Sequence, residues 1–521
     1  MKQFFARLTR LLLPAPAPIL DYSFAASDLA RYHSTVAAPG SAMLDAQTWD
    51  DMLLPAYSAS LTPQTSIFGQ QELLHRLRGG AGTDVARLRL LLDDQPLRLR
   101  VQQACRDLRR ADQEVSAPLF EAAQQAQLSA PALAAWLGWL PIAFLLALVA
   151  GLASGWLLLW GAVVLLWLLL MAVQMRYHER VSDWNRSLHS LQQMLGAHVL
   201  LAEVDAVAAP LRAGAAQAGR LNRALTRSPL DQLPGVSEYS DWLLLKNVRH
   251  YFASRTLVAQ HVDFLRDSFR SIAALEADLA LAQHLAQVCS YSWAQPSDRL
   301  QLTRVVHPLL AQAAPLSFAL QDGQGAFISG QNGIGKSTLL RTLGLNLITA
   351  RAFGFCYAEQ AAVPLLPVYS SMQSEDTLGS ESLYQAELRR AQQLLALGER
   401  GPALFVIDEI FRGTNHLESV SAAAAVLHTL AARGTVLVSS HNLVLASLLE
   451  DRLSPWCVSA PDGARTRLTL ARGLLADTNG LALLSARGFD PAISAKAARV
   501  FDWLSSYLSQ PANAALVMEG G

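Results

Sequence analysis

The spacing of apolar positions changes several times along this chain, and each change marks a different kind of structure. Met1 to Leu13 sets Phe4, Phe5, Leu8, Leu11 and Leu12 at helical intervals with Lys2, Arg7 and Arg10 between them. This predicts a short basic amphipathic helix, suited either to an anionic membrane surface or to packing on its own domain. Its uninterrupted apolar run, Leu11-Leu12-Leu13, stops at Pro14, too short for a signal peptide, and the Pro-Ala repeat that follows reads as a linker within an N-terminal segment, 1–40. From Ser41 onward, over Gln70 to Arg78 and Asp84 to Arg110, Leu and Arg recur three and four residues apart. Packed helices are expected there. Residues 41–130 form the first part of this helical core and 176–300 the second, where the strong breakers are few apart from Pro210 and Pro234.

Between the two parts, over 131–175, the pattern loses its polar face altogether. No charged side chain occurs between Glu121 and Arg176, and the gap holds two apolar runs, Leu133 to Ala150 and Trp156 to Val173. Each is about 18 residues, or about 27 Å of helix, close to the hydrocarbon thickness of a bilayer. Gly151-Leu-Ala-Ser-Gly155 is long enough only for a turn, so a transmembrane hairpin is expected, with Trp136, Trp139 and Trp156 as interfacial anchors. Arg106, Arg109 and Arg110 flank one end and Arg176, Arg180 and Arg186 the other. By the positive-inside rule this places both outer ends, and with them both termini, on the cytoplasmic side of the cytoplasmic membrane. The alternative is a helical hairpin buried in a large soluble core.

Beyond residue 300 short β-type runs alternate with helical ones, the mark of a layered α/β domain over 301–521. The apolar run Ala326-Phe327-Ile328 leads into Gly330-Gln331-Asn332-Gly333-Ile334-Gly335-Lys336-Ser337-Thr338, a complete G-x-x-x-x-G-K-S phosphate loop. Its glycines let successive N–H groups face one anionic oxygen cluster at the start of a helix. Lys336 is expected to bridge the β- and γ-phosphates of ATP, and the Ser337 hydroxyl to ligate Mg²⁺. Farther on, Ala403-Leu-Phe-Val-Ile-Asp-Glu409 is an apolar strand ending in two carboxylates, Asp408 for the metal and Glu409 to take a proton from the attacking water. Thr435-Val-Leu-Val-Ser-Ser-His441 is another β run, ending in an imidazole placed to sense the γ-phosphate.

Composition adjusts this picture in three ways. With 52% apolar residues in 521, the chain is long enough for several domains and apolar enough to call for a membrane segment. Acidic and basic residues balance at 42 each, so DNA contact would need a local basic patch. The arginines of Arg220 to Arg227 read better as a solvated helix face than as such a patch. Cys105, Cys289, Cys356 and Cys457 lack C-x-x-C spacing and fit free thiols in a reducing compartment.

Taken in order, these motifs resemble those of the MutS family of DNA mismatch-repair proteins. The likeness covers His307-Pro308 to about Phe501: the phosphate loop, Gly354-Phe-Cys-Tyr-Ala358, Ser382-Leu-Tyr-Gln-Ala-Glu-Leu388, Asp408-Glu-Ile-Phe-Arg-Gly-Thr414, Ser440-His441 and the closing Gly480 to Phe489. Leu44 to Asp51 and Phe68 to Arg78 resemble the opening of that family's helical core. The resemblance implies a homodimer with composite sites, in which Ser382 reaches the partner subunit's nucleotide, and it sets Glu418 where the family carries an aspartate. Departures lie in the loop, where Gln331 and Gly333 replace proline and methionine, and at the front. Only about 40 residues precede the helical core here, and the chain holds no Phe-x-Glu tripeptide, the wedge with which mismatch sensors read DNA.

The sequence therefore predicts a MutS/ABC-like P-loop NTPase domain, C-terminal to an all-α core interrupted by a two-helix transmembrane hairpin. The expected protein is a membrane-anchored ATPase using ATP and Mg²⁺ at a dimer interface to rearrange its helical region, catalysed by Lys336, Glu409 and His441. The sequence leaves open whether DNA is contacted, as it is by the mismatch-repair members of the family, and any DNA affinity is expected to be blind to mispairs. A nucleotide-switched tether for a protein or DNA partner at the membrane is the first alternative. An ABC-type transporter is the second, disfavoured because L-S-G-G-Q is missing and two spans per chain are few.

Overall fold

The computed structural model describes residues 22–37, 44–128, 136–227, 236–321, 323–372, 383–460, 468–475 and 490–508. The N-terminal amphipathic stretch, Ser382 and the closing Gly480 to Phe489 segment lie outside these residues. The chain divides into two compact units, one of residues 1–38, 62–75 and 86–286, the other of 39–61, 76–85 and 287–521. The expected block 41–130 is therefore shared between the units, and 287–300, expected in the helical core, groups with the C-terminal part.

In the first unit the uncharged stretch forms an antiparallel pair of helices, Trp139–Ser154 and Leu157–Ala202. The reversal is made at Gly155, whose φ of 69° is the left-handed geometry that glycine adopts without a Cβ clash. A Cβ added at Gly151 would stand 3.7 Å from the Trp160 ring, which shows how closely the two helices approach. Only 17% of the residues in the most apolar window of each helix are buried, and Leu146, Leu157, Leu158 and Leu165 are more than two-thirds exposed. A helix in a soluble core would be covered on most of its surface.

The second apolar run does not end as a separate span. No proline interrupts it, and the helix continues for 46 residues, about 69 Å. Beyond residue 176 it becomes one-sided, burying Val181, Trp184, Leu188, Leu191 and Leu195 at three- and four-residue intervals. Against this core lies the helix Val262–Leu285, whose buried Glu276 accepts hydrogen bonds from the amides of Ser66 (2.9 Å) and Gly69 (3.0 Å). It thereby caps the helix that begins at Ile67. Burial pushes the Glu276 carboxyl above its ordinary range despite these bonds.

The second unit is layered α/β, as expected. Its strands are β1 (Ser292–Trp293), β2 (Gln295–Pro296), β3 (Leu300–Val305), β4 (Leu316–Leu320), β5 (Gly325–Gly330), β6 (Phe355–Cys356), β7 (Gln360–Val363), β8 (Val368–Ser371), β9 (Leu404–Asp408), β10 (Thr435–Ser439), β11 (Leu453–Ser459) and β12 (Thr469–Arg472). The main sheet runs β12-β11-β5-β10-β9-β8, parallel throughout except for β12. Strands β5 and β9 are buried at every position, so they read as unbroken apolar runs rather than alternating ones. A smaller sheet, β2-β7-β3-β4, and the pair β1-β6 complete the unit.

Residues 44–61 are built into this unit by polar contacts that their helical pattern gave no sign of. Asp45 pairs with Arg390 at 2.8 Å, Thr48 Oγ1 accepts from the Ser370 amide at 2.8 Å, and Asp51 accepts from Ser370 Oγ at 2.7 Å. Met52 packs on Gly344, and a Cβ at Gly344 would come within 2.5 Å of its sulfur. The phenols of Tyr57 and Tyr357 share a buried hydrogen bond of 2.8 Å.

Candidate nucleotide site

The C-terminal edge of the parallel sheet gathers the sequence-predicted residues. Strand β5 ends at Gly330, where a Cβ would press to 2.8 Å from the Val458 carbonyl oxygen on β11, so only glycine lets the chain turn there. Gly333 (φ 71°) and Gly335 (φ 109°) hold the left-handed conformations of the loop that follows. Gln331, Asn332 and Gly333 are exposed, with Ile334 and Gly335 partly covered, so the loop apex faces solvent. From it springs the helix Lys336–Phe353, whose first-turn amides face the loop. Ser337 and Thr338 stand half-buried in that turn, and the Ser337 hydroxyl makes no hydrogen bond among the described residues.

Lys336 is buried and folds its ammonium back onto the carbonyl oxygens of Gly330 (3.0 Å) and Gln331 (3.3 Å). Burial pushes its pKa down, while the nearby carboxylates of Glu409 and Asp408 pull it back up. A buried ammonium flanked by two carboxylates beneath a glycine-rich loop suits a polyanionic ligand.

Strand β9 delivers the carboxylates. Asp408, its last residue, is buried and accepts a hydrogen bond from Ser439 Oγ at the end of β10. The next amide, that of Glu409, donates to the Ser439 carbonyl at 2.9 Å. Glu409 (φ 57°) and Phe411 (φ 57°) adopt left-handed backbone geometry that costs a side-chain-bearing residue energy and is concentrated at functional sites. The turn aims Glu409 at His441, which follows β10, with 2.8 Å between Oε1 and Nε2. Arg412 Nε lies 3.6 Å from the other Glu409 oxygen and 3.5 Å from Glu387. The His441 hydrogen bond, more than any other influence, holds the Glu409 carboxyl below its usual range, outweighing burial; the charges of His441, Arg412 and Lys336 add to it.

The structure thus brings together Lys336, Asp408, Glu409 and His441 from three strand ends. Glu418 stands apart from them, near the start of the helix His416–Ala431, where it accepts from Thr414 at 2.6 Å and its amide donates to Asn415 at 3.0 Å. That is a helix-capping arrangement on an exposed side chain. Sequence reasoning missed Ser439, Arg412 and Glu387. Ser439 was readable as the hydroxyl closing an apolar strand, whereas nothing in the sequence tied Glu387, on the helix Leu383–Gly398, to Arg412. Among the described residues no cluster of three or more His, Cys, Asp and Glu forms a ready-made metal cage.

Comparison with known proteins finds relatives for the part of the chain that carries these residues. Residues 326–461, spanning β5 to β11, match the family model for MutS domain V. The chain is 30% identical over 219 residues to a DNA mismatch repair protein MutS of Thermus aquaticus, covering 40% of this chain and 26% of that protein. It is 32% identical over 192 residues to an endonuclease MutS2 of Thermus thermophilus, covering 36% of this chain and 24% of that protein. With a DNA mismatch repair protein MutS 1 of Halobacterium salinarum it shares 28% identity over 216 residues, 39% of this chain and 24% of the relative. The chain thus matches about a quarter of the length of these curated relatives.

Proposed function

We propose that this chain, which belongs to the MutS family through its C-terminal domain, binds and hydrolyses ATP at the β5–β9–β10 edge and is anchored in a membrane by its apolar helix pair. The observation that carries the ATPase reading is the convergence of a buried Lys336 under a glycine-rich loop with Asp408 and Glu409 at the end of the fully buried strand β9. In this reading the loop amides from Gly330 to Thr338 bind the phosphates, Lys336 moves off its own carbonyls onto them, and Ser337 and Asp408 would hold Mg²⁺. The metal ion, when bound, neutralises phosphate charge. Glu409 orients the attacking water and accepts its proton, Ser439 fixes the Asp408 carboxylate, and His441 keeps Glu409 ionised and aimed.

Support for the anchor comes from two helices of spanning length whose apolar surface is mostly uncovered. Two of the three relatives' names speak of mismatch repair and one of an endonuclease, and a homodimer with Ser382 serving the partner's nucleotide belongs to the same reading. DNA contact, if made, rests on local patches and is expected to be salt-sensitive and blind to mispairs. A second reading, a nucleotide-switched tether, is favoured by the unbroken helix Leu157–Ala202, which joins the apolar run directly to the helical core. Slow basal turnover that a partner accelerates would select the tether. The central test is Mg-ATP hydrolysis by the purified chain: Lys336→Ala should lose nucleotide binding and turnover together, and a variant hydrolysing at the wild-type rate would overturn the reading.

A further inference from the structure

The helix Leu157–Ala202 leaves its apolar run at Val173, and the next three turns carry Arg176, Tyr177, Arg180 and Trp184. Tyr177 stands about 6 Å and Arg180 about 10 Å along the helix beyond that run, roughly the depth of the headgroup layer if the run spans the hydrocarbon. At this level lies a cleft of about 760 Å³, whose lining includes Tyr177, Arg180, Trp184, Tyr251, Phe252 and Arg255. The last three come from the helix Lys246–Gln260, far away in sequence. That helix also carries Arg249, whose Nε lies 3.8 Å from where a Cβ on Gly138 would stand, beside the start of the first apolar helix.

The charges at this level are unevenly matched. Neither Arg176, Arg180, Arg249 nor Arg255 makes an ion pair among the described residues, although many other arginines of the chain do. Arg255 lies over the Tyr251 ring at 4.9 Å and donates through one Nη to the Tyr251 hydroxyl, while its Nε is buried without a hydrogen-bond partner. Of the carboxylates lining the cleft, Asp183 is held by Arg186 at 2.7 Å and Glu114 is turned onto Ser116 and Ala117. Asp28, the third, makes no such contact among the described residues. Guanidinium groups held against aromatic rings, with a buried donor still unmatched, are built to take a phosphate oxygen. Aromatic rings and cations at this depth are also what a bilayer interface selects.

We infer that this cleft binds the headgroup of an anionic phospholipid, with Arg180 and Arg255 on its phosphate and Tyr177, Trp184 and Tyr251 against its glycerol region. The site rests on the membrane reading proposed above. The test uses the full chain in nanodiscs of phosphatidylcholine, alone or mixed with phosphatidylglycerol, with bound lipid counted by native mass spectrometry. Wild type should retain phosphatidylglycerol selectively, and Arg180→Gln/Arg255→Gln should lower that retention at least about five-fold, each guanidinium contributing about one charge-assisted contact. Excess inorganic phosphate should not displace the lipid; displacement would reassign the cleft to free phosphate and overturn the lipid assignment. Carbonate extraction of native membranes separates the two claims. A double variant that stays in the membrane and still retains phosphatidylglycerol overturns the site alone, whereas release of the wild-type chain by carbonate overturns the anchor and the site with it.

Discussion

His441 Nε2 stands 2.8 Å from Glu409 Oε1, although the two residues leave different strands and lie 32 positions apart. The contact is the main reason that the Glu409 carboxyl titrates below its usual range. A carboxylate so held is ionised at neutral pH and therefore ready to accept a proton. Glu409→Gln should keep Mg-ATP binding while turnover falls by about two to four orders of magnitude. His441→Ala removes the bond that depresses the Glu409 pKa, so the acidic limb of the kcat/KM profile should move to higher pH. An unmoved limb would show that His441 does not tune this group.

The composite-site proposal makes a prediction of a different kind. If Ser382 acts on the partner subunit's nucleotide, each chain supplies something that the other lacks. Mixing Ser382→Ala chains with Lys336→Ala chains should then restore one working site per mixed dimer, read as ATPase activity above that of either variant alone. A mixture no more active than its components would assign each site to a single chain.

The phosphate loop and the carboxylate-ended strand were legible because local chemistry dictates them: glycines at φ values that other residues avoid, and apolar runs that only a fully buried parallel strand needs. The apolar helix pair was legible for a similar reason, since 54 consecutive residues without a charge, 122–175, leave few alternatives. What stayed hidden depends on pairing across the sequence. The helical spacing of Ala46–Asp51 and Leu54–Leu61 says that they are helices, but not that Asp45, 345 positions from Arg390, joins them to the α/β unit. Nor does a lone Arg412 announce that it will stand between Glu409 and Glu387.

One such long-range pair offers a stability test. The hydroxyls of Tyr57 and Tyr357 meet at 2.8 Å with both rings fully buried, and burial drives both phenols well above their ordinary pKa. Tyr57→Phe removes this buried hydrogen bond, at a cost of about 1–3 kcal/mol. Both single variants break the same bond, so Tyr57→Phe/Tyr357→Phe should cost less than the sum of the single variants in urea unfolding. Strict additivity would mean that the two hydroxyls do not act as a pair.

His307, just after β3, gives the second unit a dependence on pH whose sign can be worked out. It is 5% exposed, and its Nδ1 accepts a hydrogen bond from the Leu309 amide at 3.2 Å. That bond requires an unprotonated nitrogen. Burial, reinforced by the Arg341 charge, lowers its pKa from 6.5 to about 4. Between those values the unfolded chain carries a proton at this position and the folded chain does not, so stability is full above about 6.5 and is lost as the pH falls towards about 4. A shift of that size corresponds to about 3 kcal/mol across the window. His307→Asn keeps an acceptor near the Leu309 amide but cannot titrate, so its unfolding free energy should vary less with pH over the same range. If the variant and the wild type lose stability in parallel between those limits, the proton is taken up elsewhere, with His198 and His284, both also lowered by burial, the next groups to substitute.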